Sequence, residues 1–474
     1  MKNKYDVVIV GAGPMGIFTA YELILKAPEK SVLLIEQGHD IYHRYCPIKN
    51  KRIEKCPVDI EGNSGCLPCC SITCGFGGAG AFSDGKFNIT SEFGGWMQEY
   101  VGNEEVIDLI KYVDTINLKH GAPEELTDPQ SPEVFEIEKR AVAAGLKLLR
   151  SEVRHLGTEV NLKVLQNIYE EMKGKIDYAF ETKVNDILVV DDKVTGVVLA
   201  KGEPVYADYV VFGVGRTGST HLAKILKKHG VNTKNNRVDI GVRVETNDIV
   251  MEEINRVLYE GKFIYNTTLG TQTRTFCSNP SGHVVVENHH GIMTCNGHSY
   301  HDAKLGSKNT NFAILVSHEF DEPFNESNAF AEQVSQLANM LSNGSVIVQK
   351  YGDILKGRRS TKKRIEEGFV IPTLKEAVPG DLGLALPYNT LKSVIEMIEA
   401  LNYVTPGIAS DHTLLYGVEA KFYSDRIDVK DNFETKAVKN LFVGGDGAGI
   451  TRGLAQAGAS GVWVARDIIT KEEK

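Results

Sequence analysis

No apolar run in this chain of 474 residues approaches the length of a bilayer span, so no membrane-crossing helix is expected. The first strand pattern begins within a few residues of Met1, which leaves no space for a signal peptide ahead of it. There is no surplus of basic charge: the formal net charge is -9, which disfavours a general binder of nucleic acid or of anionic membrane. Nor is there a compositional sign of disorder, with 42% hydrophobic and 24% charged residues. These absences predict a cytoplasmic globular protein, with two lobes given the length. Cysteine is sparse outside one region. Of eight, six lie between Cys46 and Cys74, and only Cys277 and Cys295 stand apart. In a reducing compartment such a cluster reads as metal-binding or redox-active rather than as a disulfide framework.

What is present begins at the N-terminus. Asp6-Val7-Val8-Ile9-Val10 is an apolar strand that runs into Gly11-Ala12-Gly13-Pro14-Met15-Gly16, then a helical stretch to about Lys26, then Val32-Leu33-Leu34-Ile35 closed by Glu36. Strand, Gly-x-Gly-x-x-Gly, helix, strand and terminal acid form a dinucleotide fingerprint. Gly11 allows the tight turn, Gly13 lets a pyrophosphate approach the backbone, and Gly16 lets helix and sheet pack closely, with the phosphates on the free N–H groups of the helix. Glu36 accepts from ribose hydroxyls and repels a 2′-phosphate, so the nucleotide is FAD or NAD rather than NADP.

The cysteine-rich loop, residues 39–74, has no helical or strand period. Cys66, Cys69, Cys70 and Cys74 are close enough to converge on one metal or iron–sulfur cluster, with Cys46 or Cys56 as a remote ligand. The spacing matches no standard ferredoxin or zinc ribbon, so a redox disulfide, zinc and unliganded thiols stay open beside an iron–sulfur cluster. The run Gly75 to Lys86 is too flexible for an element interior unless something packs on its backbone. A flat ring or a phosphate is expected there rather than solvent, because Phe76 and Phe82 are embedded in it.

Residues 96–150 read as a helical insert, with helices from Glu105 to Asn117 and from Val134 to Leu149. Tyr209-Val210-Val211-Phe212 then enters Gly213-Val214-Gly215-Arg216-Thr217-Gly218, a second Gly-x-Gly-x-x-Gly. It opens a separate NAD(P)H domain or returns to the first sheet. The alternating strand after it, Val238 to Glu245, looks antiparallel and half-buried, which favours the return. Residues 235–404 read as mixed α+β, with Cys277, His289, His290, His298 and His301, and the basic run Arg358 to Arg364, read as a solvated face rather than a docking patch. The histidines suit metal binding, proton relay or ordinary loop hydrogen bonds. Near the C-terminus, Leu441-Phe442-Val443 ends in Gly444-Gly445-Asp446-Gly447, small residues follow from Ile450 to Ala459, and a helix runs from Gly461 to Ile469. Asp446 stands where a carboxylate accepts from sugar or ribityl hydroxyls. The fold class is therefore α/β: a discontinuous three-layer Rossmann-like unit, residues 1–234 and 405–474, with an inserted α+β substrate or cap unit, 235–404.

The N-terminal fingerprint, Gly213-Val214-Gly215 and Val443-Gly444-Gly445-Asp446 together resemble the glutathione-reductase-type FAD-binding fold. More narrowly, Gly77 to Lys86 (Gly-Gly-Ala-Gly-Ala-Phe-Ser-Asp-Gly-Lys) and His155-Leu156-Gly157-Thr158 resemble the bacterial and archaeal FAD-dependent dehydrogenase family. That resemblance covers most of the chain. It implies that Gly11, Gly13, Pro14, Met15 and Gly16 hold the pyrophosphate of FAD, Glu36 with Gln37 the adenosine ribose, and Gly445, Asp446 and Gly447 the ribityl-phosphate region. Gly77, Gly78, Gly80, Ser83 and Asp84 would lie along the flavin, near Gly213 and Gly215.

A flavin performs hydride or electron transfer itself, while the protein positions it and excludes water. No Cys-x-x-Cys follows the fingerprint where disulfide reductases of this fold keep one, so a simple disulfide reductase is not expected. The expected activity is an FAD-dependent oxidoreductase acting on a small molecule between the lobes, with electrons exchanged through the substrate, a transient NAD(P)H or an iron–sulfur partner. Lys86, Arg216 and His298 are the candidates for polarising substrate or stabilising reduced flavin. Two other classes compete. One is an electron-transfer flavoprotein whose iron–sulfur cluster serves a ferredoxin-like partner. The other, a flavoenzyme acting on RNA, is disfavoured by the acidic charge.

Overall fold

The structure, a computed structural model, describes residues 2–47, 50, 52–53, 66–83, 85–258, 260–289, 291–299 and 303–472. Two sheets organise them. In the first, five strands run parallel in the order Asp177–Ala179, Val32–Ile35, Lys4–Val10, Pro204–Phe212 and Leu441–Val443. The antiparallel pair Val184–Val190 and Lys193–Leu199 joins the N-terminal part of Pro204–Phe212. Val32–Ile35 and Leu441–Val443 are apolar and buried at every position, as parallel strands covered on both faces must be. The second Gly-x-Gly-x-x-Gly thus follows a strand of the first sheet and opens no separate domain.

Helix Pro14–Lys26 crosses helix Leu454–Glu472 at close range. A β-carbon at Gly461 would lie 2.2 Å from the Met15 carbonyl oxygen, and one at Gly458 3.0 Å from the Phe18 ring. The small-residue segment after Ile450, expected to precede a helix starting at Gly461, is therefore largely the helix itself from Leu454. Its glycines serve helix–helix contact.

The second sheet has the order Val378–Pro379, Ile347–Lys350, Leu414–Lys421, Val238–Asn247, Asn309–His318, Gln272–Asn279, Lys262–Asn266 and Leu146–Leu149. Three expectations change here. The helix expected from Val134 to Leu149 is Pro132–Ala143 followed by strand Leu146–Leu149; Gly145, at φ 74°, supplies the left-handed residue that ends it. Val134, Ile137, Ala141, Leu146 and Leu148 belong to the second core, so this part of the insert serves the second lobe. Leu414–Lys421 pairs antiparallel with Val238–Asn247, which carries the second lobe past the expected boundary at residue 404.

Val238–Asn247 is antiparallel as expected, but it is buried from Val238 through Thr246 rather than half-buried. Its polar residues point into a second layer that pairs them. Asp239 meets Arg274, Arg243 meets Glu419 through two bonds of 2.8 Å, and Glu245 accepts from Tyr416 and Thr373. Alternation signals half-burial only when the polar face meets water. Among the described residues no helix is long and apolar enough to cross a membrane.

Candidate dinucleotide site

The C-terminal ends of three neighbouring parallel strands build the site. Lys4–Val10 ends at Gly11, whose φ of 101° and distance from the Gly213 carbonyl oxygen (2.9 Å to an added β-carbon) exclude any side chain. A β-carbon at Gly16 would fall 1.9 Å from the Gly11 oxygen. Gly13 differs: it meets nothing closer than 3.8 Å, so its outer side is open. It caps helix Pro14–Lys26 without any side-chain acceptor, and Pro14 has no N–H, so the donors of the first turn face that opening. Gly213 N–H donates to the Val10 oxygen (2.9 Å), and Gly215, with nothing within 4 Å, caps helix Arg216–Lys228, again with no side-chain bond. Gly444 N–H donates to Phe212 (3.1 Å) and Gly447 N–H to Val214 (3.0 Å), which brings Gly445 and Asp446 to the same edge. Two bare helix N-termini over open glycines suit a pyrophosphate, so these residues fit FAD.

Glu36 is buried, and backbone groups use most of its carboxylate. Oε2 accepts from Ala12 N–H (2.8 Å), and Oε1 accepts from Gly38 (2.8 Å) and Gly75 (2.9 Å). A carboxylate has roughly four acceptor sites, so one remains for a ribose hydroxyl. Glu36 therefore also ties the fingerprint turn to the glycine-rich run. That run is packed by protein as well: Gly77 N–H donates to Ala12 (2.8 Å), a β-carbon at Gly78 would lie 3.1 Å from Gly13, and Gly80 abuts Leu454 and Pro14. Ser83 closes the turn by donating to the Gly80 oxygen (2.7 Å), while Asp84 lies outside the described residues.

Arg44 holds this loop, and sequence reasoning missed it. It is 9% exposed, donates to the carbonyls of Ser71, Ile72, Phe76 and Gly78, and lies 4.7 Å over the Phe82 ring. Burial pulls its guanidinium down to about 10 against the pull of Glu36. A single arginine in an aperiodic loop carries no pattern that would reveal this.

Of the three polarising candidates, Arg216 is at the site, 3.1 Å from Asp446. Burial pushes the Asp446 carboxyl up, while Arg216 and Arg452 hold it down. Lys86 lies on strand Lys86–Ile89, 3.7 Å from Glu260 of the second lobe. His298 ends the hairpin strand Ile292–His298, opposite His283, in the second lobe. His290 and His301 lie outside the described residues.

Among the described residues, which include Cys66, Cys69, Cys70 and Cys74 but not Cys56, no group of three or more potential metal ligands is brought together. Cys69 instead shares a hydrogen bond with Cys74, whose Sγ also accepts from Gln37 Nε2 (3.2 Å). That bond from Cys69 is the main reason the buried Cys74 thiol is pulled down to about 7, while Cys69 is pushed up. Gln37, expected at the ribose, thus serves a thiol.

Fold and site together define an α/β protein with a Rossmann-like sheet, whose glycine turns suit a dinucleotide, and an inserted α+β lobe. Residues 238–422, which span most of that lobe's sheet, match the family described as FAD-dependent protein, C-terminal domain-like. Over 494 aligned positions, 99% of this chain and 81% of the relative, the chain is 28% identical to an "Uncharacterized protein" of Clostridium beijerinckii (strain ATCC 51743 / NCIMB 8052). Among solved structures it is similar to glycine oxidase from Bacillus cereus ATCC 14579, with a TM-score of 0.36 and 12% identity over 98% of this chain and 95% of that one. It is also similar to a mutant FrdA of E. coli quinol fumarate reductase, with a TM-score of 0.41 and 14% identity over 99% of this chain and 71% of that one.

Proposed function

We propose that the protein is an FAD-dependent oxidoreductase acting on a small molecule bound between the two lobes. The observation that supports this most is the pair of uncapped helix N-termini, at Gly13 and Gly215, set over open glycines at one edge of the parallel sheet. FAD supplies two-electron redox chemistry when bound. The chain's part is to hold and shield it. The Gly13–Gly16 turn binds the pyrophosphate, Glu36 offers its remaining acceptor site to the adenosine ribose, and Asp446 with Arg216 takes the ribityl side. Gly77, Gly78, Gly80 and Ser83 form the adjoining wall. Lys86 polarises substrate from the seam where it meets Glu260. NAD(P)H, binding transiently without a domain of its own, is the proposed donor. The reading with an iron–sulfur cluster and a ferredoxin-like partner finds no support in the described thiols.

Two measurements test this. Flavin released from the purified protein is identified and counted against chain, and the loaded protein is mixed anaerobically with NADH or NADPH. The expected result is about one FAD per chain, bleached by one of the two donors. Protein that carries no FAD and takes none up would overturn the reading. FAD present but unbleached would remove NAD(P)H alone.

A further inference from the structure

The cysteine loop holds a thiol pair that the nucleotide site does not use. Cys74 N–H donates to the Cys70 oxygen (2.9 Å) and Thr73 N–H to the same oxygen (3.1 Å), so residues 70–74 fold back as a single turn. Arg44 pins that turn through the Ser71 oxygen (3.0 and 2.7 Å) and the Ile72 oxygen (3.0 Å). Beyond it, Gly75 N–H is held by Glu36 Oε1 (2.9 Å), and a β-carbon at Gly38 would lie 2.8 Å from the Cys74 carbonyl carbon. The backbone of Cys74 is thus fixed on both sides. Its sulfur faces a small set of donors: the Cys69 thiol, Gln37 Nε2 at 3.2 Å and the Thr73 hydroxyl at 3.6 Å.

Hydrogen bonds aimed at one sulfur favour its thiolate, and the thiolate is the form that attacks. One of these donors is itself a thiol, which places Cys69 where a resolving cysteine must stand. The Arg44 guanidinium lies near both sulfurs and adds positive charge to their surroundings. Cys74 is 4% exposed and Cys69 is half-buried, so the approach suits an oxidant as small as hydrogen peroxide.

We propose that Cys74 and Cys69 form a redox modification site, which hydrogen peroxide closes to a reversible disulfide. The Cys74 thiolate attacks one peroxide oxygen. The S–O bond forms, the O–O bond breaks, and the leaving hydroxide takes up the proton that Cys74 had released. Cys69 then attacks the Cys74 sulfur: the S–S bond forms, the S–O bond breaks, and hydroxide leaves with the Cys69 proton as water. Two thiols lose two electrons, and one peroxide gains them to become two waters. This site does not rest on the oxidoreductase reading.

Differential alkylation of the protein as purified tests this, with bound iron and zinc assayed first. Reduced protein, freed of reductant without air, is treated with hydrogen peroxide and its free thiols are blocked with one label. After reduction, newly released thiols take a second label, which is placed by peptide fragmentation. The second label is expected on Cys69 and Cys74 together, and on neither without peroxide. Cys69→Ser should leave Cys74 as a sulfenic acid that dimedone traps, and Cys70→Ser should leave the disulfide in place. Cys74→Ser should slow oxidation of Cys69 about tenfold or more; should that variant fail to fold, dimedone on Cys69→Ser decides the matter. No second label on the pair, pairing through Cys66 or Cys70 instead, or no dimedone on Cys74 in Cys69→Ser would overturn the site. So would iron or zinc held by these thiols, or a disulfide that forms without peroxide as flavin bleaches.

Discussion

Cys74 should ionise far below an ordinary thiol, and the reason is local. Its main influence is the hydrogen bond from Cys69. Burial opposes ionisation, while Thr73 and Gln37 favour it; the balance is about 7 against an ordinary 9.0. At pH 7 about half of Cys74 would be thiolate, against about one part in a hundred for the ordinary thiol. The same contact pushes Cys69 up, so the pair releases one proton near neutrality and keeps the second far into alkali. Because the folded pair gives up one proton near 7 while the unfolded thiols keep theirs until about 9.0, stability rises with pH between those values and is lost as pH falls through about 7; above 9.0 the proton held on Cys69 works the other way. The assay is the ultraviolet absorbance of thiolate against pH, as the difference between the wild type and Cys74→Ser, with alkylation rates assigned by peptide mass. Cys69→Ala removes the main donor and should return the midpoint toward the ordinary value. A wild-type midpoint already at the ordinary value, or one that Cys69→Ala leaves in place, would refute the reasoning.

Further outcomes follow from the same geometry. Asp446→Ala leaves Arg216 without its carboxylate and should cost about 1–3 kcal/mol of FAD binding, read as flavin per chain after gel filtration; full occupancy would move the ribityl side elsewhere. Glu36→Gln sets an amide N–H2 against at least one of three backbone N–H groups, so FAD affinity and urea stability should fall together. Loss of one without the other would separate ribose binding from loop tethering. Arg243→Met leaves Glu419 at full burial with Lys421 as its remaining cation and should destabilise the second lobe by about 3–5 kcal/mol in urea. A change below about 0.5 kcal/mol would show that the pair adds nothing.

The chain's own pattern carried the first sheet. Uninterrupted apolar runs at Val7–Val10, Val32–Ile35 and Leu441–Val443 belong to strands covered on both faces, and glycines at fixed offsets mark where backbone meets backbone or phosphate. Gly16 is legible because the contact that requires it, with the Gly11 oxygen, is local, and Gly11 because the turn it makes is local, at φ 101°, although its close contact is with distant Gly213. Distant contacts are not written locally. Gly458 and Gly461 look like loop residues until helix Pro14–Lys26 is laid across them. The polar residues of Val238–Asn247 look solvent-facing until Glu419, Arg274 and Tyr416 arrive from later strands to pair with them. The end of the second lobe was misplaced for the same reason: an apolar strand such as Leu414–Lys421 carries no mark of which sheet it joins. Cysteine spacing showed only that thiols were near one another; in the fold Cys69 and Cys74 form a hydrogen-bonded pair, Gln37 beside Glu36 donates to Cys74, and Arg44 of the same loop binds the Ser71 oxygen. Local sequence determined the elements and the phosphate turn, because both depend on neighbours along the chain. Tertiary structure decided the partners of most buried charges, because those lie far along the chain: 184 residues separate Asp239 from Tyr423 and 444 separate Glu22 from Arg466.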